Sequence, residues 1–246
     1  MRLERGGLLV GAALERSAAL NLAYRGAQPQ DVLAGALAEF PGEVALVSSF
    51  GADSVVLLEM AAALDPDLPV LMIDTLMLFE ETLAYQRELA VLLGLRNVQH
   101  VLPAAADLAA LDPDGQLHAT DPDACCVIRK VAPLDRVAGR WPAMISGRKR
   151  FQGPTRAALG HFEADGDRMK INPLAHWSAE QVRDYIAARD LPRHPLVARG
   201  FRSIGCRPCT TPVAEGEDDR AGRWRGTGKT ECGIHISADG PVLRAS

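Results

Sequence analysis

The sequence predicts an α/β fold in which helices flank a mostly parallel central sheet. Short apolar runs that are typical of buried strands alternate with stretches of helical spacing, beginning with a strand over 43–47, a helix over 55–64 and a strand over 70–74. Three predicted strands end in small or polar residues, namely Ser48-Ser49, Asp74-Thr75 and Ser146-Gly147. Because ligands bind outside the carboxyl ends of such strands, these residues predict a nucleotide-sized site at one edge of the sheet.

The remaining elements follow from periodicity and from signals at the ends of helices. Residues 8–39 predict one or two amphipathic helices, interrupted near 26–29. Further strands are predicted over 98–102, 143–147 and 169–174, and further helices over 79–93, 125–140 and 178–188. Residues 107–123 predict a loop with at most one short helix, and the Gly-, Pro- and Arg-rich stretch 199–246 predicts irregular structure.

Composition and charge exclude several classes of protein. The 246 residues are 48% hydrophobic, and no apolar run approaches the ~20 residues that a membrane helix needs. The N-terminus has no signal-peptide pattern, so we expect a cytoplasmic protein. A net charge of −4 argues against stable binding of nucleic acid. Within this acidic chain, 129–156 carries eight Lys and Arg residues and one acid, which indicates either a solvated face or a small polyanionic ligand.

The turn at 48–54 is a candidate anion site. It is rich in hydroxyl groups and joins a predicted strand to a predicted helix, whose N-terminal N–H groups and dipole favour phosphate-like charge. No Gly-Lys-Ser/Thr follows, so it is not a Walker A loop. The alternative is an ordinary connection in which Asp53 and Ser54 cap the helix.

The five cysteines indicate metal and thiol chemistry. In a cytoplasmic chain they argue against a disulfide framework. Cys125 and Cys126 are adjacent, and Cys206 and Cys209 form a Cys-x-x-Cys, which is a common chelating spacing. Four thiolates suit zinc or an iron–sulfur cluster, whereas the alternative is a buried pair and an unrelated redox pair. Cys232 is either a nucleophile or an incidental exposed thiol.

Two stretches resemble a nucleotide-binding superfamily. Ser-Phe-Gly-Ala-Asp-Ser at 49–54 is similar to the Ser-Gly-Gly-x-Asp-Ser loop of the adenine nucleotide alpha-hydrolase superfamily, a Rossmann-like fold, with Phe50 in place of the first glycine. Ile-Asp-Thr at 73–75 resembles that group's Leu-Asp-Thr-Gly, with Leu76 in place of glycine.

Further motifs resemble the assimilatory sulfonucleotide reductases, one branch of that superfamily. The stretch 125–134 resembles their Cys-Cys-x-x-Arg-Lys-x-x-Pro-Leu, and 203–210 resembles their second cysteine motif. Arg-Ala-Gly-Arg-Trp at 220–224 and Glu-Cys-Gly-Ile-His at 231–235 resemble a phosphosulfate-contacting motif and the motif of the nucleophile. The stretch 146–152 resembles a substrate-binding Gly-x-Arg-Arg-x-Gln segment.

The resemblance implies an activity and a cofactor. It implies one 4Fe–4S cluster per chain, held by Cys125, Cys126, Cys206 and Cys209. Members with both cysteine pairs use adenosine 5′-phosphosulfate (APS), so the implied reaction is its thioredoxin-dependent reduction to sulfite and AMP, in sulfate assimilation and cysteine biosynthesis. Cys232 would carry an S-sulfocysteine intermediate. The cluster is expected to organise the site electrostatically rather than to pass electrons.

The resemblance and the strand ends together assign substrate binding to these residues: Ser48, Ser49, Gly51, Asp53, Ser54, Asp74, Thr75, Lys130, Lys149, Arg150, Arg220, Arg223 and His235. The predicted organisation is an N-terminal helical segment 1–40, a nucleotide- and cluster-binding domain 41–209, and a segment 210–246 that carries Cys232, is mobile and closes over the site. A homo-oligomer is compatible with the sequence.

Three alternatives stay open. One is reduction of the 3′-phosphorylated substrate (PAPS), because the sequence does not show which residues form the pocket that would distinguish PAPS from APS. Another is an ATP pyrophosphatase that acts in tRNA thiolation, against which the Glu-Cys-Gly-Ile-His motif argues. The last is a non-enzymatic iron–sulfur or zinc nucleotide sensor, which leaves Cys232 without a role.

Overall fold

The protein is built around one six-stranded sheet with helices on both faces. The computed structural model describes residues 2–235, with the side chains of 11–234. The strands are β1 (Val44–Ser48), β2 (Val70–Ile73), β3 (Val98–Val101), β4 (Ala143–Ser146), β5 (Phe162–Asp165) and β6 (Arg168–Ile171), arranged in the order β3-β2-β1-β4-β6-β5. All neighbouring pairs are parallel except β5 and β6. The predicted α/β class with a mostly parallel sheet is confirmed.

The helices within the described residues are α1 (Arg2–Ala23), α2 (Pro29–Glu39), α3 (Ser54–Leu64), α4 (Glu80–Leu93), α5 (Ala105–Leu111), α6 (Leu117–Thr120), α7 (Pro122–Cys126), α8 (Ala132–Ala138) and α9 (Ala179–Ala188). Two of their predicted end signals are confirmed. Gly94 ends α4 in a left-handed conformation with φ of 68°, and at the start of α9 the Ser178 and Gln181 side chains each accept the other residue's backbone N–H.

Alternate residues of the central strands enter two separate cores. In β2, Val70 and Met72 pack with α2, α3, α4 and α9, whereas Leu71 and Ile73 pack with α8 on the other face. All four residues of β2 are buried. Helices therefore cover both faces of the central strands, which explains why those strands are continuous apolar runs.

The structure corrects three local predictions. Residues 107–123 contain the end of α5 and all of α6, where at most one short helix is predicted. The predicted helix over 125–140 is divided into α7 and α8 by a π-helical turn at Val127–Val131. Strand β5, which the sequence analysis misses, forms a hairpin with β6 through a turn at Gly166 with φ of 66°.

The N-terminal helices pack on the edge of the sheet. The Asn21 amide in α1 donates to the carbonyl oxygen of Phe162 at 2.7 Å and accepts the N–H of the same residue at 3.1 Å. The Asn21 side chain thus satisfies the outward backbone groups of Phe162 at the start of the edge strand β5, which would otherwise be open to pairing with another strand. The division into segments 1–40, 41–209 and 210–246 stays a prediction.

None of the helices in the described part of the chain combines the length and the apolarity that crossing a lipid bilayer requires.

Candidate active site

A cavity of about 430 Å³ opens at the carboxyl ends of β1, β2 and β4. The loop after β1, the segment after β4 and the C-terminal segment supply most of its wall. Twelve of the residues predicted for the site line this cavity: Ser48, Ser49, Gly51, Asp53, Ser54, Thr75, Lys130, Lys149, Cys206, Arg220, Arg223 and Cys232. Stretches that are far apart in the sequence therefore meet at one place.

The structure leaves other predicted residues away from the cavity wall. Asp74 is buried, accepts the Leu76 N–H at 2.9 Å and lies 3.6 Å from His100. Arg150 is exposed and donates to the Leu159 carbonyl at 2.8 Å. The side chain of His235 lies outside the described residues.

The loop after β1 uses its own hydroxyl groups to hold its shape. The Ser48 hydroxyl accepts the Phe50 N–H at 3.1 Å, and the Ser54 hydroxyl accepts the Gly51 N–H at 2.9 Å. These two N–H groups are thus already bonded, contrary to the expectation of free donors throughout the loop. At Gly51, an added Cβ would lie 3.2 Å from the Ile204 carbonyl oxygen, so the close approach of the C-terminal segment favours glycine here.

The two departures from the superfamily motifs keep a glycine-type backbone. Phe50 has φ of 47° and Leu76 has φ of 61°, both in the left-handed region that favours glycine. The Phe50 ring is fully buried in the larger core. Leu76 is 58% exposed, and its turn is held by the Asp74 carboxylate and the Thr75 hydroxyl, which accept the N–H groups of Leu76 and Met77.

Two arginines of the basic stretch 129–156 that are not among the predicted substrate-binding residues are buried in the wall. Arg148 is 8% exposed and pairs with Glu163 at 2.5 Å, and Arg156 is 6% exposed and pairs with Glu231 at 2.7 Å. The signal for Arg148 is its place directly after the strand end Ser146-Gly147, where the motif alignment instead selects the next two residues.

Lys149, which the motif does select, is also buried. Its Nζ lies 3.2 Å from Asp53 Oδ2, so the segment after β4 is tied by an ion pair to the loop after β1. Asp53 therefore serves this pair, and its side chain makes no capping hydrogen bond to α3.

The π-helical turn brings two buried cations to the site. Lys130 lines the cavity, and Arg129 donates to the Thr75 carbonyl at 2.9 Å. Arg129 also pairs with the buried Asp112 at 2.5 Å. Burial raises the pKa of Asp112, but hydrogen bonds from the Leu117 N–H and from Arg129 outweigh burial and lower it. The turn is thus fixed to β2 and to the end of α5.

The five cysteines are free thiols, and two of them, Cys206 and Cys232, line the cavity. Cys126 packs with Cys232 and Trp224, and the partly buried Cys209 contacts the same cluster. Burial raises the pKa of Cys125 to about 11, and the nearby Cys206 and Cys209 contribute to the increase. Cys206 Sγ lies within hydrogen-bond distance of Thr75 Oγ1, at 3.2 Å. The adjacent pair and the Cys-x-x-Cys thus converge.

The chemistry of the convergent cysteines suits a thiolate-bound metal group, since soft sulfur ligands bind zinc and iron–sulfur clusters. Among residues 11–234, no three His, Cys, Asp or Glu side chains are placed to hold a metal ion together. Trp224 Nε1 is a buried donor without a hydrogen-bond partner in the described part of the chain. Such donors stabilise cluster sulfurs, so the surroundings suit an iron–sulfur group.

Cys232 lies where its thiolate is favoured. The Cys126 thiol donates a hydrogen bond to it, and Lys130 and Arg223 face it, so that its pKa is lowered although burial opposes this. Metal binding by Cys126 would remove that S–H donor, and the two cations would then be the groups that continue to favour the thiolate. Burial lowers the pKa of Lys130, but the charges of Cys206 and Cys232 raise it overall. The site therefore pairs an anionic sulfur with cations that stay charged.

Fold and cavity together define a class of protein. A parallel sheet that is covered on both faces, with a cation-lined cavity at the carboxyl ends of its central strands, is the arrangement of nucleotide-binding α/β proteins. The chain belongs to the family of the phosphoadenosine phosphosulfate reductase domain, whose model matches residues 43–212. The resemblance noted in the sequence is confirmed.

Relatives and solved structures agree with this assignment. The adenosine 5′-phosphosulfate reductase of Mesorhizobium japonicum is 52% identical over 223 residues, which cover 90% of this chain and 88% of that protein. The phosphoadenosine 5′-phosphosulfate reductase of Gloeobacter violaceus is 42% identical over 213 residues, covering 84% of this chain and 88% of that protein. The crystal structure of phosphoadenylyl-sulfate reductase from Candida auris, a phosphate complex, has a TM-score of 0.67 and 27% identity, and the match covers 81% of this chain and 97% of that one.

Proposed function

We propose that the protein reduces adenosine 5′-phosphosulfate to sulfite and AMP, with Cys232 as the nucleophile and a thioredoxin-like dithiol as the reductant. One observation carries the proposal. The side chain of Cys232 lies in the same cavity as the loop after β1, and the cations Lys130 and Arg223 line that cavity with it. The 52% identical relatives that bear the APS reductase name support the choice of substrate.

The first step is transfer of the sulfonyl group to the protein. The Cys232 thiolate attacks the sulfate sulfur, the bond from that sulfur to the bridging oxygen breaks, and AMP leaves with the bonding electrons. Lys130, Arg220 and Arg223 lie in the wall beside Cys232, where their charges stabilise the developing negative charge on AMP. Arg148 and Lys149 also line the cavity, where they pair with Glu163 and Asp53.

The second step releases sulfite and regenerates the thiolate of Cys232. A thiolate of the dithiol attacks the sulfur of the S-sulfocysteine at Cys232, sulfite leaves, and a mixed disulfide forms. The second thiol of the dithiol then displaces Cys232 as a thiolate, so that the two electrons come from the dithiol. Free thiols and a dithiol donor both require a reducing compartment, and we therefore place the reaction in the cytoplasm.

Substrate contacts are proposed for the predicted residues that line the cavity, with Arg148 and Arg156 added. Asp74 and Arg150 receive no contact, because neither reaches the wall. Cys125, Cys126, Cys206 and Cys209 would hold a 4Fe–4S cluster, with Trp224 Nε1 as a donor to it. When bound, this group supplies a fixed negative charge that holds Lys130 and orders the cysteine side of the site.

Mass measurement tests the mechanism. The protein is incubated with APS in the absence of a dithiol, and its intact mass is expected to increase by one sulfonate group. Cys232→Ser is the matched control and is expected to gain nothing. A wild-type protein that gains no mass, or a Cys232→Ser variant that does, contradicts the proposal.

A parallel assay separates the two substrates. Sulfite release is measured from APS and from PAPS at equal concentrations, because the 42% identical relative bears the name of the PAPS enzyme. Faster release from APS is expected. Faster release from PAPS would contradict the choice of APS and would make PAPS the proposed substrate.

A further inference from the structure

The residue before Cys232 is an acid that is turned into the cavity wall. The side chain of Glu231 is only 12% exposed. Its Oε2 accepts from Arg156 Nε at 2.7 Å, and its Oε1 accepts from Arg156 Nη2 at 2.8 Å. A two-point pair of this kind fixes the orientation of both groups as well as their distance.

The same carboxylate holds the backbone of Cys232. Glu231 Oε1 accepts the N–H of Cys232 at 3.0 Å. Arg220 Nη2 lies 3.4 Å from that oxygen and donates to the Thr230 carbonyl at 3.1 Å. The backbone around Cys232 is thus attached to the body of the protein through Arg156 and to its own segment through Arg220.

A second ion pair holds the chain two residues before Glu231. Lys229 pairs with Asp123 at the start of α7, and the Lys229 side chain is 7% exposed. Neither of these residues lines the cavity, whereas Arg156, Arg220 and Glu231 all do. The two attachments therefore differ in one respect, since only the pair at Glu231 uses cations that an anionic ligand in the cavity would also meet.

We propose that Glu231 is a positioning residue that holds Cys232 in the cavity wall through Arg156 and Arg220, and that it competes for these two guanidinium groups with the anionic ligand. The inference rests on the proposed function, because it takes Cys232 as the nucleophile and an adenylate as the ligand. Its consequence is that the position of the nucleophile and the affinity for the ligand are set by one carboxylate.

The test compares Glu231→Gln with wild-type holoenzyme, without turnover. One readout is the rate at which iodoacetamide alkylates Cys232, followed by peptide mass spectrometry. The other is the dissociation constant of AMP. With the charge removed, we expect alkylation to accelerate by roughly tenfold, the factor for losing one well-formed charged hydrogen bond, and AMP to bind several-fold more tightly.

Two further variants separate positioning from a general loss of structure. Arg156→Gln should also accelerate alkylation, and the double variant should be no faster than either single variant, because both remove the same pair. Lys229→Gln should accelerate alkylation without tightening AMP. Glu59→Gln removes a carboxylate that pairs with Arg189 at 2.9 Å outside the cavity, and it should change neither readout.

An unchanged alkylation rate in Glu231→Gln overturns the positioning role. Weaker or unchanged AMP binding in that variant overturns the competition. Sulfite release by the same wild-type preparation reports on the proposed function separately, so an active wild type combined with an unchanged Glu231→Gln rejects this inference alone.

Discussion

Phe50 and Leu76 share a left-handed backbone conformation, but they differ in how far side-chain burial offsets its energetic cost. Both residues have positive φ and stand at positions where the superfamily motifs have glycine. A left-handed conformation costs a residue with a Cβ about 1–2 kcal/mol. For Phe50 the burial of a complete ring offsets that cost, whereas Leu76 is largely exposed and recovers little.

Replacement by glycine should therefore have opposite effects at these two positions. We expect Phe50→Gly to lower the free energy of unfolding by ~3 kcal/mol or more, because a buried ring is lost from the core. Leu76→Gly should be neutral or stabilising by up to ~1 kcal/mol, since relief of strain exceeds the entropy cost of glycine. Denaturant unfolding of the two variants is the measurement, and a larger loss for Leu76→Gly would contradict this explanation.

His194 makes the stability depend on pH. Its ring is buried, Nδ1 accepts the Leu196 N–H at 3.2 Å, and Nε2 lies 3.0 Å from the Thr82 hydroxyl. This arrangement requires the neutral ring, and burial lowers the pKa of His194 from 6.5 to about 4. Between these two pH values the unfolded chain binds a proton at His194 that the folded protein does not.

The free energy of unfolding should consequently decrease as pH falls from about 6.5 to about 4, with a total contribution of roughly 3 kcal/mol from this residue. Above 6.5 and below 4 the contribution is constant. Urea unfolding at a series of pH values measures it. His194→Gln is expected to be less stable at pH 7 but to show a flatter pH profile, and an equally steep profile would rule out His194 as the origin.

At the scale of elements, the segment between β3 and α7 is held by a single buried charge pair. Asp112 at the end of α5 binds Arg129 in the π-helical turn, and Arg129 in turn donates to the Thr75 carbonyl after β2. Removing one partner of a buried pair leaves the other charge without compensation.

Asp112→Asn should lower the free energy of unfolding by about 3–5 kcal/mol for this reason. Asp67→Asn is the matched control, since Asp67 pairs with Arg96 at 3.0 Å on the exposed surface and should cost less than ~1 kcal/mol. Thermal unfolding of both variants checks the difference. Similar losses in the two variants would contradict the structural importance of the buried pair.

Elements with strong periodicity could be predicted from the sequence, and weakly patterned ones could not. Strand β2 is buried along its whole length, and its sequence is a continuous apolar run, which predicts a buried strand. In β5, by contrast, the two central residues are only partly buried, so Phe162–Asp165 carries neither an apolar run nor a clear alternation. The π-helical turn is not marked in the sequence, and its Arg129 is held by groups distant in the chain, namely Asp112 and the Thr75 carbonyl.

The same limit applies to the candidate site. Motif spacing locates the loop after β1 and the cysteines, because these chemistries need particular residue types close together in the chain. The roles of Arg148 and Arg156 depend on partners at Glu163 and Glu231, which are distant in sequence. Only the folded chain shows that these arginines face the cavity.

At the scale of the whole molecule, the cysteine side of the cavity joins parts of the chain that the sheet does not connect. Cys125 and Cys126 lie on α7, whereas Cys206 and Cys209 follow α9 and the last strand. A cluster held by all four would therefore stabilise the folded state at the expense of the unfolded chain, in which no such site exists.

Removal of iron should lower the melting temperature of the protein. Chelation under reducing conditions is expected to increase hydrogen exchange in 122–131 and 203–212, while β1 and β2 keep their protection because their core does not include the cysteines. A preparation that contains no iron after anaerobic purification, or one whose melting temperature is unaffected by chelation, would contradict the assignment.

The separation of the two cysteine pairs also constrains how the protein is made. A ribosome completes all six strands, the last ending at Ile171, before it adds Cys206 and Cys209. The nascent chain can thus bury both faces of its sheet before two of the four candidate ligands have been added. A cluster held by all four cysteines would therefore be loaded only after the sheet has been translated.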